Sequence, residues 1–386
     1  MTRPHTPPLT SRLPAVGTTI FTVMSALAQQ HDAVNLGQGF PDFDCDPRLI
    51  DAVHTAMRSG LNQYPPMAGV PALREAVAAK IEALYGQRFD AGSEVTITAG
   101  ATQAILTIIL AVVQPGDEVI VLDPCYDSYE PNIVLAGGVA VHVPLTPGRF
   151  EPDFERIRAA ISPHTRAIIV NTPHNPSATV WSEAQMRTLT ELLRDTDILV
   201  IADEVYEHMV FDGEAHQSVA RFPELALRSF IVSSFGKTFH VTGWKVGFVA
   251  APAALMTEFR KVHQFNVFTV NTPVQHGLAA YMQDPSHHLG LPAFYQRKRD
   301  LFRDALAGSR FRLLPCQGSF FQCVDYSAIS DLGEAAFCRW LTAEVGVAAI
   351  PLAAFYQTGF EQRFARFCFA KKDETLRLAL ERLARL

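Results

Sequence analysis

The chain has 386 residues, 48% of them hydrophobic and 19% charged, and carries a net charge of −6. A chain of that size usually outgrows one hydrophobic core, so two domains are expected and disorder is excluded. Its lysines and arginines are scattered, which leaves no basic patch for nucleic acid or an anionic membrane.

The opening stretch lacks the apolar segment and small-residue cleavage site of a secretory signal, and a cytoplasmic setting is expected. Ile105 to Val113 is the longest apolar run, about half the ~20 residues that cross a bilayer, and reads as a buried helix. The six cysteines (Cys45, Cys125, Cys316, Cys323, Cys338 and Cys368) show no CxxC spacing and are expected to be free thiols. With no HExxH and no paired Cys/His clusters, no metal site is expected.

In chain order, residues 1–46 are too short to fold alone and are expected to pack onto a C-terminal unit. From about residue 90, apolar runs alternate with helical patterns. Strands are expected at Val95–Thr98, Glu118–Asp123, Ala140–Val143, Ala167–Asn171, Ile198–Ala202, Phe230–Ser233 and Val246–Ala250. Between them, Ala104–Val113, Ser182–Leu193 and Ala253–Gln264 read as amphipathic helices. Continuous apolar strands separated by helices predict an α/β fold, a mostly parallel seven-stranded sheet covered by helices on both faces. Ligands of such sheets bind outside the carboxyl ends of the strands. Beyond Pro292 the pattern changes to a long charged helix (Tyr295–Ala307), Phe320–Val324, a helix near Glu334–Glu344, Val347–Ile350, Phe364–Ala370 and a final helix. The expected division is a large domain over 47–290 and a smaller α+β domain made of 1–46 with 291–386.

Four polar motifs follow strands of the predicted sheet. Lys237 stands in Ser-Ser-Phe-Gly-Lys-Thr, after Phe230–Ser233. It reads either as a surface lysine or as an amine facing a ligand; a Walker A loop is excluded, because Ile231 stands where its first glycine belongs. Asp203 ends a fully apolar run and Tyr206 lies three residues on, a pair open to a helix cap or to a shared ligand. Asn175, between prolines in Asn-Thr-Pro-His-Asn-Pro, is held away from helix and is expected to present its amide outward. Gly100, Ala101 and Thr102 join a strand to a helix, as a simple cap or as a phosphate cradle of backbone N–H groups and a hydroxyl. Together the four motifs offer a phosphate cradle, a carboxylate, a phenol, an amide and an amine at one sheet edge, a set that suits pyridoxal phosphate.

These stretches, with Val34-Asn-Leu-Gly-Gln-Gly-Phe-Pro-Asp-Phe43, Leu61-Asn-Gln-Tyr64 and Arg366-Phe-Cys-Phe369, resemble the class I/II aminotransferases of fold type I. The pattern is nearest to methionine aminotransferases and the kynurenine/glutamine group. The resemblance implies pyridoxal 5′-phosphate bound as a Schiff base on Lys237, with Asp203 facing the pyridine nitrogen and Tyr206 and Asn175 donating to the ring O3′. It places the phosphate on Gly100, Ala101, Thr102, Ser234 and Lys245. Tyr126 corresponds to the aromatic that stacks on the ring, and Tyr64 to a tyrosine that reaches the phosphate of the neighbouring subunit, hence a homodimer with shared active sites. Arg366 and Gly39 match contacts to the substrate α-carboxylate, with Phe21, Tyr126 and Phe268 as candidate walls of an apolar side-chain pocket. The implied reaction passes an amino group from an amino acid to a 2-oxo acid by a ping-pong mechanism. Methionine is the first expected donor, then aromatic amino acids, glutamine or kynurenine. A carbon–sulfur β-lyase using the same Lys237 and Asp203 is the alternative.

Overall fold

The computed structural model describes residues 9–386; the first eight residues of the expected N-terminal segment lie outside it. The strands are β1 (Val34–Asn35), β2 (Val95–Thr98), β3 (Glu118–Asp123), β4 (Val139–Pro144), β5 (Thr165–Asn171), β6 (Leu199–Asp203) and β7 (Ser229–Ser234). They continue with β8 (Gly247–Ala250), β9 (Arg312–Leu313), β10 (Phe321–Asp325), β11 (Val347–Ala348), β12 (Ile350–Pro351) and β13 (Phe364–Cys368).

The seven expected strands form one sheet in the order β2-β8-β7-β6-β5-β3-β4. Only β8 is reversed, antiparallel to both β2 and β7. Alternate residues of each central strand enter two different cores. Ile168, Val170, Val200, Ala202 and Ile231 face one side; Ala167, Ile169, Ile201, Phe230 and Val232 face the other. Both faces of the sheet are therefore dry, which is why these strands read as unbroken apolar runs. The helix over Glu183–Leu193 starts in a capping box: Ser182 Oγ accepts from Gln185 N at 3.2 Å, and Gln185 Oε1 accepts from Ser182 N at 2.8 Å.

A second, four-stranded sheet has the order β12-β13-β10-β9, and β1 pairs with β11 in a small parallel ribbon. The expected single strand Val347–Ile350 is divided between these two. Val347 and Ala348 pair with Val34 and Asn35, whereas Ile350 and Pro351 pair with Arg366 and Ala365. Pro351 has no N–H, so a longer ladder along one neighbour is closed to it. The helix from Glu334 runs to Trp340 and ends in a wider π-type turn over Leu341–Val345, released at Gly346 with φ 78°. Among the helices that the sequence reading did not name are Pro47–Arg58, Pro71–Tyr85 and Thr272–Tyr281. Each has proline in its first turn, the available signal. Among the described residues no helix is long and apolar enough to cross a membrane.

Candidate active site

The reversal of β8 assembles the site. Its first residue, Gly247, pairs with Thr98 at the end of β2 and with Ser234 at the end of β7. A Cβ on Gly247 would lie 2.6 Å from the Ser233 carbonyl oxygen and 3.3 Å from the Ala101 nitrogen, so only glycine lets the backbones approach this closely. Lys245, two residues earlier, takes a left-handed turn (φ 54°). A cavity of about 160 Å³ opens at this edge, lined by Gly100, Ala101 and Thr102 on one side and Ser234, Lys237 and Lys245 on another. Tyr126, Asn175, Asp203 and Tyr206 complete its wall. Ten of the fifteen residues expected at the site therefore meet in one place.

The helix Gly100–Val112 begins without a side-chain cap. The Gln103 side-chain oxygen accepts from the N–H of Ala99 at 2.9 Å, and its amide nitrogen donates to Thr107 Oγ1 at 2.6 Å. The open N–H groups carry the positive end of the helix dipole, and the Lys245 amine stands 3.4 Å from where a Cβ on Gly100 would sit. An uncapped helix start beside a lysine is built to receive an anion.

Lys237 lies in a four-residue helix, Phe235–Thr238, directly after β7. Its Nζ donates to the Gly39 carbonyl at 2.9 Å and lies 5.2 Å from the Phe320 ring centre and 5.6 Å from that of Tyr206. Burial pushes the amine down to about 8, with Arg366 and Lys245 adding to the effect and Cys368 and Asp203 opposing it. Gly39 was expected only as a contact for substrate; here its carbonyl holds the lysine.

Asp203 ends β6 almost fully buried. Tyr129 Oη donates to its Oδ2 at 2.6 Å, and the Val205 N–H to its Oδ1 at 3.3 Å. Burial raises the carboxyl to about 6, while these two donors and the charge of Lys237 hold it down. Tyr129 escaped the sequence reading; its spacing of three from Tyr126 was the only hint. Tyr206 is buried edge-on against Phe320, ring centres 5.0 Å apart.

Asn175 does not present its amide outward. It is buried, its Oδ1 accepts from Arg366 Nη1 at 2.6 Å, and its backbone N–H donates to Asn171 Oδ1 at 2.8 Å. Arginine can only donate, so the Asn175 oxygen faces Arg366 and its NH₂ is left to the cavity side. Arg366, on β13, is 1% exposed; its Nη2 donates to the Gly37 carbonyl at 3.3 Å and its Nε has no partner. Its guanidinium carbon lies 4.0 Å from the Phe321 ring centre, 4.9 Å from Phe355 and 5.4 Å from Phe21. A buried cation whose hydrogen bonds end on neutral oxygens is short of an anion.

Five expected residues are outside the cavity lining: Arg366 and Gly39 border it through Asn175 and Lys237, and Phe21, Tyr64 and Phe268 stand apart. Phe21 lies over Arg366, as above. Tyr64 is 82% exposed and packs edge-on against Phe268 at 5.3 Å, and neither residue lines the cavity. Asp123, Cys125 and His142, which no motif in the sequence brings together, have ligand-type atoms within 4.8 Å of one another. His142 Nδ1 is 2.8 Å from Asp123 Oδ1, a polar cluster under the loop that carries Tyr126. All six cysteines are free.

Residues 31–383 match the family model of aminotransferase class I and II. The chain is 53% identical to methionine aminotransferase of Escherichia coli, over 97% of this chain and 98% of that one. It is 34% identical to human kynurenine–oxoglutarate transaminase 1, over 92% and 93%. A crystal structure of an E. coli protein identified as having methionine aminotransferase function superposes with a TM-score of 0.97 at 52% identity, covering 99% of this chain and all of that one. Members of this family use pyridoxal 5′-phosphate. The chain belongs to the class I and II aminotransferases, and its reaction is the transfer of an amino group.

Proposed function

We propose that the chain is a methionine-preferring aminotransferase that holds pyridoxal 5′-phosphate on Lys237. One observation carries the cofactor site: a half-buried amine without a carboxylate partner shares its cavity with a buried acid and an uncapped helix start. Gly100, Ala101, Thr102, Ser234 and Lys245 would hold the phosphate. Asp203 would keep a proton on the ring nitrogen, while Tyr206 and the free NH₂ of Asn175 would donate to the ring oxygen. Tyr126 would lie against the ring face.

The bound cofactor supplies an electron-withdrawing ring that accepts the electron pair left at the substrate Cα. Lys237, neutral above about pH 8, would hold the cofactor through its amine and, when free of it, would carry the proton that leaves the substrate Cα. Arg366 offers its unpartnered Nε edge to the substrate carboxylate, and the Phe321, Phe355 and Phe21 rings around it exclude water. Phe21 and Tyr126 would bound an apolar side-chain pocket, which suits methionine ahead of acidic donors. The identity to the E. coli methionine enzyme supports that preference.

Exposed Tyr64 and Phe265, 82% and 86% accessible, with Leu61 and Phe268 nearby, support a homodimer in which this face meets a second copy and Tyr64 reaches its phosphate. The six free thiols support a reducing, cytoplasmic setting. The sheets support the division into a large domain over 47–290 and a small one over 1–46 with 291–386.

The test is a half-reaction screen of purified holoenzyme against single amino acids without an oxo acid, followed at the cofactor absorbance. Methionine is expected to react fastest and to yield its 2-oxo acid. A faster reaction with aspartate, or release of thiol and ammonia, contradicts this reading; the latter is the β-lyase outcome.

A further inference from the structure

We propose that Tyr129 is a positioning residue for the reaction, whose phenol O–H keeps Asp203 in its carboxylate form opposite the cofactor ring. This rests on the cofactor reading above and extends it to a residue that no motif assigns. Tyr129 opens the helix Tyr129–Leu135 and is 2% exposed. Its Oη lies 2.6 Å from Asp203 Oδ2, across 74 positions of sequence. The short distance is that of a hydrogen bond to a charged acceptor.

The other donor to this carboxylate, the Val205 N–H at 3.3 Å, is longer. Asn171 reaches only the Asp203 backbone carbonyl, at 2.8 Å, so it holds the turn and not the charge. Among the described residues Tyr129 thus makes the one short side-chain contact to the acid. Burial pushes the phenol well above its ordinary value, so it remains a donor throughout the working range of pH. The same ring meets Tyr126 edge-on at 5.7 Å and 80°, so one side chain braces both the acid and the aromatic wall of the cavity.

Removing the O–H leaves a carboxylate desolvated and short of its best donor, and the carboxyl form gains. One hydrogen bond to a charge is worth about one to two pH units in such a midpoint. The test uses Tyr129→Phe. In apoenzyme labelled with ¹³C-aspartate, the Asp203 resonance, assigned by its loss in Asp203→Asn, is expected to titrate at least about one pH unit higher in Y129F than in the parent. In holoenzyme the acid limb of the kcat/KM profile is expected to move up by the same amount. A cofactor methylated on its ring nitrogen, which needs no proton there, is expected to return Y129F to within a few-fold of the parent carrying that same cofactor.

An unmoved Asp203 midpoint overturns the proposal, as does a loss of turnover that the methylated cofactor does not repair. Should Y129F not fold, 3-fluorotyrosine at this position, a stronger donor of nearly the same shape, is expected to lower the midpoint; a rise or no change overturns the proposal. Failure of the cofactor reading is separately visible, as a parent enzyme that takes no pyridoxal phosphate onto Lys237.

Discussion

Two lysines, Lys80 buried and Lys237 half-buried, lie close to the end of β7, and their surroundings differ in one respect that decides what each does. Lys80 donates to Glu207 at 2.5 Å, and the same carboxylate accepts from Tyr85 at 2.7 Å and from Ser233 at 2.6 Å. Lys237, four residues beyond Ser233, has a carbonyl for a partner and no carboxylate in contact. In the first region charge answers charge: burial raises the Glu207 carboxyl, but the charge of Lys80, with His208 and the hydrogen bonds from Lys80 and Ser233, holds it well below its usual range. In the second, burial is left uncompensated and the amine is pushed toward its neutral, nucleophilic form. A buried ion pair ties the fold together, whereas a half-buried amine facing open space is kept for chemistry.

The sharpest way to break this comparison is to remove each amine. Lys237→Ala is expected to lower turnover by at least about 10³-fold, since it deletes both the nucleophile and the proton carrier, while the thermal midpoint of the apo chain stays within a few degrees. Lys80→Met is expected to do the reverse. It strands Glu207 and costs about 3–5 kcal/mol in denaturant unfolding, while the enzyme that remains folded keeps its turnover. An active Lys237→Ala enzyme, or a Lys80→Met enzyme of parental stability, would show that the two regions have been misjudged.

Arg366 carries the next effect. Arg366→Lys keeps a positive charge but loses the planar fork, and KM for amino acids is expected to rise roughly 10–100-fold with kcat less affected. An unchanged KM would place the carboxylate contact elsewhere.

The pH responses are smaller and have defined signs. Asp203 must be ionised to serve the ring nitrogen and is raised to about 6, so kcat/KM is expected to fall tenfold per pH unit below about 6. A flat profile down to pH 5 contradicts this. Lys237 is depressed to about 8, so cofactor uptake by the apo chain is expected to quicken as pH rises through about 8. The unfolded chain keeps that proton to about 10.4, so this amine makes the apo fold more stable, not less, as pH rises through its folded value. Calorimetry of apo parent and Lys237→Met across this range isolates the contribution.

The sheet was legible because both of its faces are buried, which wrote seven apolar runs into the chain, and because Lys237, Asp203 and Asn175 each follow one of them. The reversal of β8, which brings Lys245 beside Gly100 at the uncapped helix start, was hidden, since strand direction leaves no trace in an apolar run of four residues. The supporting contacts were hidden for a different reason. Tyr129 and Asp203 are 74 positions apart, and Lys80 and Glu207 are 127, so no local spacing announces them. Phe21 was visible as an aromatic near the N-terminus, but its place over Arg366 depends on how β13 and the first helix pack. Tyr64 reads as an exposed tyrosine in one chain and gains a role only if a second chain covers it.

The most direct test reduces the holoenzyme with borohydride, digests it and sequences the phosphopyridoxyl peptide by mass spectrometry. The account predicts a single modified residue, Lys237, within Ser-Ser-Phe-Gly-Lys-Thr. A label on Lys245, or no label on a chain that still transfers amino groups, would contradict it.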